Sequence, residues 1–270
     1  MKNTRKTIKP HLSPSSITQY IKCSAQFMFR KTIGAKPPGI ALLYGKSVDE
    51  AINVDMEQKI DSKKNLSEDD VKDAFVTEWD ANKDNTEFHS VDKPKDLREI
   101  GINSVGEWSN TIAKTIQPKA VQQKLPIEFN DFDFNVLQYA DVITDDGVII
   151  DNKTAGRSIS VSKVTEKLLI PHDHRLQLTM YDIGYEVNES SQATGLGLDY
   201  LIKTKKPKIQ QARWKPNKQD RQYVLQLMET VANGVKKEVF IPNRNNMMCS
   251  KRFCAYWREC ENKYGGKVKP

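Results

Sequence analysis

Apolar residues spaced three and four positions apart predict that the chain is mainly helical up to about residue 117. Ser13 suits a helix N-cap and Pro14 the first helical turn, so the first helix is expected to begin there. A second helical stretch is expected to follow Cys23. Residues from about 60 to 117 are predicted to form a helical insertion, because Ser67 and the three acidic residues after it are typical of a helix start.

The spacing of apolar residues then becomes alternating, which indicates strands. A strand-like region includes Phe132 and Phe134 and continues to Ile143. The Asp-Asp-Gly sequence at 145–147 is typical of a turn, and a short apolar strand follows it at 148–150. The two strands and the turn predict a β-hairpin.

Beyond the hairpin, helical and alternating patterns succeed one another. A helix is expected over about 173–189, a strand over about 196–202 and an amphipathic helix over 217–238. The sequence therefore predicts an α/β fold with a small mixed sheet flanked by helices. Residues 1–270 are expected to form a single domain, with no internal repeat.

The composition and charge suit a globular protein with a basic surface. Hydrophobic residues make up 38% of the 270 positions, and the formal net charge is +7. This charge suits a polyanionic partner but does not by itself establish one. No apolar run approaches the ~20 residues of a membrane span, so no transmembrane segment is expected. The basic N-terminus lacks the apolar core of a signal peptide, and the cytosol is the default compartment.

The predicted hairpin carries a candidate catalytic cluster. Asp141 lies on its first strand, Asp151 ends the second, and Lys153 follows at the spacing that puts alternate residues on one side of a strand. Carboxylates hold Mg²⁺ or Mn²⁺, and the carbonyl of Asn152 adds a further oxygen ligand. A metal with a neighbouring lysine is suited to phosphodiester hydrolysis. The alternative is a hairpin with ordinary solvated charges.

Four cysteines form the second candidate site. Three of them fall within twelve residues near the C-terminus, and the fourth lies far upstream: Cys249, Cys254, Cys260 and Cys23. In a reducing cytosol such a set favours a metal over disulfides, and Cys23 would supply the fourth ligand. Spacing alone does not distinguish zinc from an iron–sulfur cluster, and unrelated reduced cysteines are a further alternative.

The order of these motifs resembles a known family. Asp141 with Asp151-Asn152-Lys153 resembles the core of the PD-(D/E)xK nucleases, which has a restriction-endonuclease-like fold. The nearest branch is similar to RecB-type exonucleases, including the CRISPR-associated adaptation nucleases and the nuclease domain of AddB. Four further segments match that branch: SPSSITQYIKCSAQFMFR (13–30), GKSVDEAIN (45–53), Gln177-x-x-x-Tyr181 and the C-terminal cysteine triplet (249–260).

The resemblance implies a DNA exonuclease that acts on single-stranded or free ends in recombination, repair or phage DNA processing, with a helicase or recombination partner. It implies that Asp141 and Asp151 hold the metal, and that Gln177 and Tyr181 lie beside the active site and contact the strand. It further implies a [4Fe-4S] cluster on the four cysteines, which would clip the tail to the N-terminal helix.

One position departs from the family pattern. Asp49 stands where the branch has a metal-binding histidine. Aspartate is a competent Mg²⁺ ligand, so the departure predicts a changed metal preference with Asp49 as a ligand. The alternatives are that the motif is matched in the wrong register, so that Asp49 is unrelated to the site, or that the site is weakened. The departure also supports the main rival hypothesis, a catalytically silent nucleic-acid-binding or recombination-partner module that keeps the nuclease fold.

Two other segments bear on function. Gly45-Lys46-Ser47 lacks a glycine at the required distance, since that position is Ile40, so a phosphate-binding loop and an ATPase are rejected. The basic segment 203–208, followed by Arg213-Trp214-Lys215, suits contact with a nucleic-acid backbone and stacking on a base. A solvated hairpin tip explains the same segment equally well.

Overall fold

The computed structural model describes residues 11–129 and 135–269. Within these residues the helices are α1 (Pro14–Lys22), α2 (Ser24–Ile33), α3 (Ile40–Ser62), α4 (Glu68–Asn82), α5 (Pro94–Thr111), α6 (His172–Glu189), α7 (Lys218–Lys236) and α8 (Trp257–Tyr264). The strands are β1 (His11–Leu12), β2 (Pro118–Lys124), β3 (Asn135–Val136), β4 (Tyr139–Thr144), β5 (Val148–Ala155), β6 (Gly195–Ile202) and β7 (Lys208–Trp214). The predicted strand residues Phe132 and Phe134 lie outside the described residues.

Side-chain caps fix the starts of the helices that the sequence predicts. Ser13 forms a reciprocal capping box with Ser16, and Pro14 occupies the first turn of α1. Ser67 accepts the backbone N–H of Asp70 at 3.1 Å and caps α4. The helical character of the 60–117 insertion is thus confirmed, with short 3₁₀ turns after α4 and α5.

The described chain divides into two compact units. The sheet unit comprises residues 37–125 and 139–216, and the terminal unit comprises the described parts of 1–36, 126–138 and 217–270. The expectation that residues 1–270 form a single domain stays a prediction. No helix in the described ranges is long and apolar enough to cross a membrane.

A five-stranded mixed sheet organises the sheet unit. Its order is β2-β4-β5-β6-β7, with β5 and β6 parallel and the other neighbouring pairs antiparallel. Gly147 adopts a φ of +82° in the β4–β5 turn, a conformation that glycine enters without strain. The predicted hairpin and mixed sheet are therefore confirmed.

Strand β5 is longer than the sequence pattern indicates. The short apolar run predicts only Val148 to Ile150, with Asp151 at the end, but pairing with β6 continues to Ala155. The polar residues remain in the strand because β6 is buried along its whole length and offers hydrogen bonds throughout. Asp151, Asn152 and Lys153 consequently occupy fixed strand positions.

Helices cover both faces of the sheet. Ile150 packs into a core cluster with side chains of α3, α4 and α5, whereas Ile149 packs into a second cluster with side chains of α6. Because neighbouring strand residues point to opposite faces, this alternation determines which way each polar residue of β5 points. The rejected Gly45-Lys46-Ser47 segment lies within α3 and forms no phosphate-binding loop.

The terminal unit is built from the two ends of the chain. Its helices are α1, α2, α7 and α8, and β1 pairs with β3 in a short parallel ladder. Phe29 stacks on Tyr256 with ring centroids 6.2 Å apart, and Cys260 belongs to the same buried cluster. Apolar and aromatic side chains thus join α2 to the segment that carries the C-terminal cysteines.

Candidate active site

Strand β5 presents Asp151 and Lys153 together. The two residues are separated by one position, so both point toward α6 as Ile149 does. The Asp151 side chain is 1% exposed, and Lys153 Nζ lies 2.6 Å from Asp151 Oδ2. A buried carboxylate is therefore paired with a lysine that keeps about a quarter of its side-chain surface in solvent.

Asp141 lies on β4 beside this pair. Its Oδ2 accepts the backbone N–H of Asn152 at 3.1 Å, which ties the carboxylate to β5. Burial raises the pKa of Asp141 well above its ordinary value, and the charge of Asp151 raises it further, against the lowering effect of Lys153. The hairpin thus brings together the two carboxylates that the sequence predicts.

Helix α3 adds a third carboxylate. Burial raises the pKa of Asp49 to about 7, while the charge of Lys153 lowers it and that of Asp151 raises it. These interactions place Asp49 in the same electrostatic cluster as the two hairpin aspartates. The alternative that Asp49 is unrelated to the site is disfavoured, since its side chain shares their neighbours.

The cluster has more negative than positive charge. When ionised, its three aspartates face one ammonium group, that of Lys153. Burial lowers the pKa of Lys153, but the aspartates outweigh burial and hold it above its ordinary value. Lys153 therefore stays protonated, and the remaining negative charge suits a divalent cation.

The donor atoms at this site suit a divalent metal ion. Across residues 11–129 and 135–269, no three Asp, Glu, His or Cys side chains already converge as a ready-made metal site. The carboxylates of Asp49, Asp141 and Asp151 are nevertheless the oxygen donors that Mg²⁺ and Mn²⁺ prefer. The shortage of positive charge and the raised pKa of Asp49 both favour a cation there.

Helix α6 supports Asp151 from one side. Gln177 Nε2 donates to Asp151 Oδ1 at 3.2 Å and to the Tyr181 hydroxyl at 2.6 Å. Burial raises the pKa of Tyr181 well above its ordinary value, so its hydroxyl stays protonated. The sequence-predicted pair therefore lies beside Asp151, as a helix face with four-residue spacing allows.

One neighbouring residue, Tyr200, was not predicted as a site residue from the sequence. Tyr200 of β6 is in register with Lys153, and its hydroxyl lies 2.9 Å from His174 Nδ1 at the start of α6. Burial raises the pKa of Tyr200, with Asp151 adding to the effect. The signal was available only in part, because alternation puts Tyr200 on one face of β6 but does not give its register with β5.

Asn152 points away from Asp151 and Lys153. Its register partner on β6 is Asp199, which is fully buried and forms an ion pair with Arg213 at 2.7 Å. The Oδ1 atom of Asn152 is buried and accepts no hydrogen bond among the described residues. The side chain thus lies on the opposite face, and the predicted metal contact through its backbone carbonyl stays a prediction.

The four cysteines meet in the terminal unit. Cys23 lies at the junction of α1 and α2, and it lines one pocket with Cys249, Cys254 and Cys260. All four are free thiols, and the backbone N–H of Asn243 lies 3.5 Å from Cys23 Sγ. Burial raises the pKa of Cys254, and the other three cysteines raise it further.

Comparisons with known proteins give the family. A family model described as the PD-(D/E)XK nuclease superfamily matches residues 11–261. The crystal structure of a candidate exonuclease from Eubacterium rectale has a TM-score of 0.62 at 13% identity, covering 99% of this chain and 93% of that one. The crystal structure of SSO0001 has a TM-score of 0.38 at 14% identity, covering 93% of this chain and 98% of that one. A search of curated proteins finds no match.

The chain belongs to the PD-(D/E)XK nuclease superfamily, because the family match spans nearly all of it. The likeness to the Eubacterium rectale structure shows the same fold at low sequence identity. The hairpin that carries Asp141, Asp151 and Lys153 agrees with the motif for which the superfamily is named. The protein is therefore a nuclease by family, and its subtype is a matter of proposal.

Proposed function

We propose that this protein is a metal-dependent deoxyribonuclease with its catalytic centre at Asp49, Asp141, Asp151 and Lys153. The observation that carries the proposal is the ion pair on β5 between the buried Asp151 and the half-buried Lys153, flanked by two more carboxylates. A buried charge cluster is costly to the fold unless it is compensated, so its presence favours function.

Each residue has a distinct part in the proposed reaction. Asp49, Asp141 and Asp151 would hold Mg²⁺ or Mn²⁺, with the Asn152 carbonyl as a further donor. Bound there, the metal supplies a water of lowered pKa and neutralises charge on the phosphate. Lys153 stays protonated and donates to the negative charge that develops on the phosphate oxygens.

Gln177 and Tyr181 would keep Asp151 in place. Gln177 donates to Asp151 and to Tyr181 through the same nitrogen, so the amide fixes the carboxylate against α6. Held in this way, Asp151 retains its orientation while the phosphate enters, which avoids a reorganisation cost in the reaction. Contact of this helix face with the DNA strand is the second part of the proposal.

The exonuclease assignment rests on the order of motifs. The N-terminal helix with Cys23, the hairpin, the Gln177–Tyr181 pair and the cysteine triplet follow one another as in RecB-type exonucleases. We extend the proposal to DNA ends, single-stranded or free, in recombination, repair or phage DNA processing with a helicase or recombination partner. The similarity of motif order is the support for that setting.

The cysteine pocket is proposed to bind a [4Fe-4S] cluster, with zinc as the alternative. Four free thiols line one pocket, which gives the usual ligand number for either group. Because the ligands come from both ends of the chain, the group would fasten α2 to the C-terminal segment. We assign it a structural role.

A comparison of linear and circular DNA distinguishes an exonuclease from an endonuclease. Anaerobically purified protein is incubated with Mg²⁺ or Mn²⁺ and either end-labelled linear single-stranded DNA or a covalently closed single-stranded circle. An exonuclease degrades the linear DNA and leaves the circle intact, whereas cleavage of both at similar rates contradicts that subtype.

A double variant tests the nuclease assignment itself. Asp151→Ala/Lys153→Ala is expected to leave the linear DNA intact under the same conditions. If the wild type and the variant both leave it intact while binding it, the silent-module alternative replaces the proposed function.

A further inference from the structure

A basic turn lies at the end of the sheet to which the catalytic strand points. Strands β5 and β6 are parallel, so their carboxyl ends meet, and the N–H of Lys203 donates to the carbonyl of Ala155 at 2.8 Å. Residues 203–215 contain no acidic side chain. We call residues 203–208, which comprise the connection from β6 and the first residue of β7, the basic turn.

The lysines of the basic turn are available for a partner. In the described part of the chain no ion pair with a carboxylate is formed by Lys203, Lys205, Lys206 or Lys208. Two of them are held in position, since Lys203 Nζ lies 5.2 Å from the ring centroid of Tyr44 and Lys208 donates to Ser158 at 2.9 Å. Uncompensated, partly oriented lysines are suited to phosphate groups.

A short hairpin between β5 and α6 lies beside the basic turn. We call residues 160–169 the apolar-tipped hairpin. The N–H of Ser162 donates to the carbonyl of Lys167, and the N–H of Leu169 donates to the carbonyl of Ser160, each at 2.8 Å. Its backbone is thus hydrogen-bonded across the two arms.

This hairpin exposes apolar side chains both at its tip, where Val164 lies, and along its arms, where Val161 and Leu169 lie. Val164 is 92% exposed, Val161 is 52% exposed and Leu169 is 57% exposed. Lys163 and Lys167 are exposed on the same ten-residue segment. This hydrogen-bonded loop holds aliphatic groups in water among Lys163, Glu166 and Lys167, where the lysines outnumber the acid. Such a surface is suited to a partner with both apolar and anionic parts.

The hairpin is anchored at the level of the catalytic lysine. Gln210 of β7 accepts the N–H of Ile159 at 2.7 Å and donates to its carbonyl at 3.1 Å. Gln210 is in register with Tyr200, and Tyr200 is in register with Lys153. With strands spaced about 4.8 Å apart, the anchor lies roughly 10 Å from the backbone of Lys153.

We propose that the basic turn and the apolar-tipped hairpin together bind single-stranded DNA adjacent to the scissile phosphate. The inference rests on the proposed function, since it takes Lys153 as the catalytic lysine. The lysines of the turn contact phosphates, and Val164 contacts base faces. An intact duplex hides its base faces by stacking, so contact with Val164 selects a single strand.

Binding measurements with a non-cleaving protein test the lysines. Full-length Lys153→Ala protein is titrated against a short fluorescent oligonucleotide in EDTA at several salt concentrations. The added triple variant is Lys203→Ala/Lys205→Ala/Lys206→Ala. Its affinity is expected to fall about ten-fold or more, and its salt dependence, d log K/d log [salt], to shallow by about 2, at roughly 0.7 per lost phosphate contact on a single strand.

A matched triple variant controls for net charge. Lys64, Lys95 and Lys114 are exposed in the helical insertion of the same unit, and their replacement by Ala removes equal charge. The control is expected to change the affinity less than two-fold. Equal losses in both triple variants would overturn the proposal, because a general charge effect would then explain the binding.

Substitution at the hairpin tip tests the strand preference. Val164→Ser is expected to weaken binding of the single strand and not of a blunt duplex, while Val164→Leu retains it. No change with Val164→Ser, or equal weakening for both DNA forms, would overturn the proposal. Since cleavage plays no part, a protein that binds in this way but never cuts would defeat only the proposed nuclease function. A wild-type protein that cuts DNA, together with a triple-lysine variant that binds DNA normally, would overturn only the proposed binding surface.

Discussion

The carboxylate cluster and the cysteine pocket are built in opposite ways. The aspartates and Lys153 lie on strands and a helix of the sheet unit, where backbone pairing and buried cores fix them. The cysteines lie at a helix junction and in a segment between residues 237 and 264 that has helix only from Trp257. The first site is positioned by the fold. At the second site, a group bound to the cysteines is expected to stabilise the segments that carry them.

The largest effect is expected at the site that the fold positions. Asp151→Asn keeps the shape of the side chain but removes a buried negative charge and its ion pair with Lys153. DNA cleavage should fall about 10³-fold or more, the scale for loss of a group that acts on transition-state charge. Single-turnover cleavage rates measure it.

A nearby aspartate provides the control for that prediction. Asp145 is exposed in the turn of the same hairpin, so Asp145→Asn should retain the wild-type rate within about two-fold. Comparable losses in the two variants would show that charge in the hairpin, and not the position of Asp151, governs activity.

The next largest effect is expected on the stability of the terminal unit, with the sheet unit unaffected. Cys254→Ser should remove the bound group and loosen the terminal unit by several kcal/mol, because the group links segments distant in sequence. Hydrogen exchange should rise in residues 237–264 and stay unchanged in β5 and β6. Elemental analysis and visible absorbance of the wild type should show iron; stoichiometric zinc in a colourless protein would contradict the cluster assignment.

Met247 offers a control in the same segment. It is 79% exposed, so Met247→Leu should leave both metal content and exchange unchanged. Equal protection in Cys254→Ser and the wild type would show that the cysteine pocket needs no bound group, and the contrast between the two sites would disappear.

A smaller effect is expected from pH. Since the pKa of Asp49 is raised to about 7, metal must displace its proton below that pH. Affinity for Mn²⁺ should rise up to about ten-fold per pH unit below about 7 and level above it. Calorimetric titrations of the wild type and Asp49→Asn measure this, and the variant should show a shallower pH dependence, because the proton on Asp141 must still be displaced.

The metal-free protein should show the opposite trend in stability. The folded state binds the Asp49 proton more tightly than the unfolded state, so this contribution is present below the unfolded pKa and is lost as pH rises toward 7. Asp49→Asn should flatten the pH dependence of the free energy of unfolding in EDTA. An unchanged profile would remove Asp49 from the cluster.

The smallest effect is expected on α6. Tyr181→Phe removes one hydrogen bond to Gln177 and leaves the contact between Gln177 and Asp151. A net loss of about 1 kcal/mol corresponds to a decrease in kcat of roughly five-fold, with KM little changed. A selective rise in KM would instead indicate that Tyr181 contacts the DNA strand.

The sequence predicted what periodicity and residue chemistry determine. Strand alternation put Asp151 and Lys153 on one side, and a turn sequence placed Asp141 opposite them. Four-residue spacing put Gln177 and Tyr181 on one helix face. Metal-ligand chemistry alone grouped Cys23 with the distant triplet, and the structure places all four in one pocket.

Long-range register and irregular loops were beyond the sequence pattern. The extension of β5 to Ala155 depends on pairing with β6, which no local pattern in β5 reveals. The pairing of Tyr200 with Lys153 depends on the same register. The hairpin at 160–169 is formed by backbone hydrogen bonds and by the Ser162 hydroxyl, which accepts two backbone N–H groups. The spacing of apolar residues does not reveal such a turn.

The most direct test of the central claim is metal-dependent cleavage by the wild-type protein. Anaerobically purified protein is mixed in excess with end-labelled linear single-stranded DNA in Mg²⁺, Mn²⁺ or EDTA. We predict that the label is released with either metal and retained in EDTA. Intact DNA in all three conditions, with binding still measurable, would contradict the nuclease assignment.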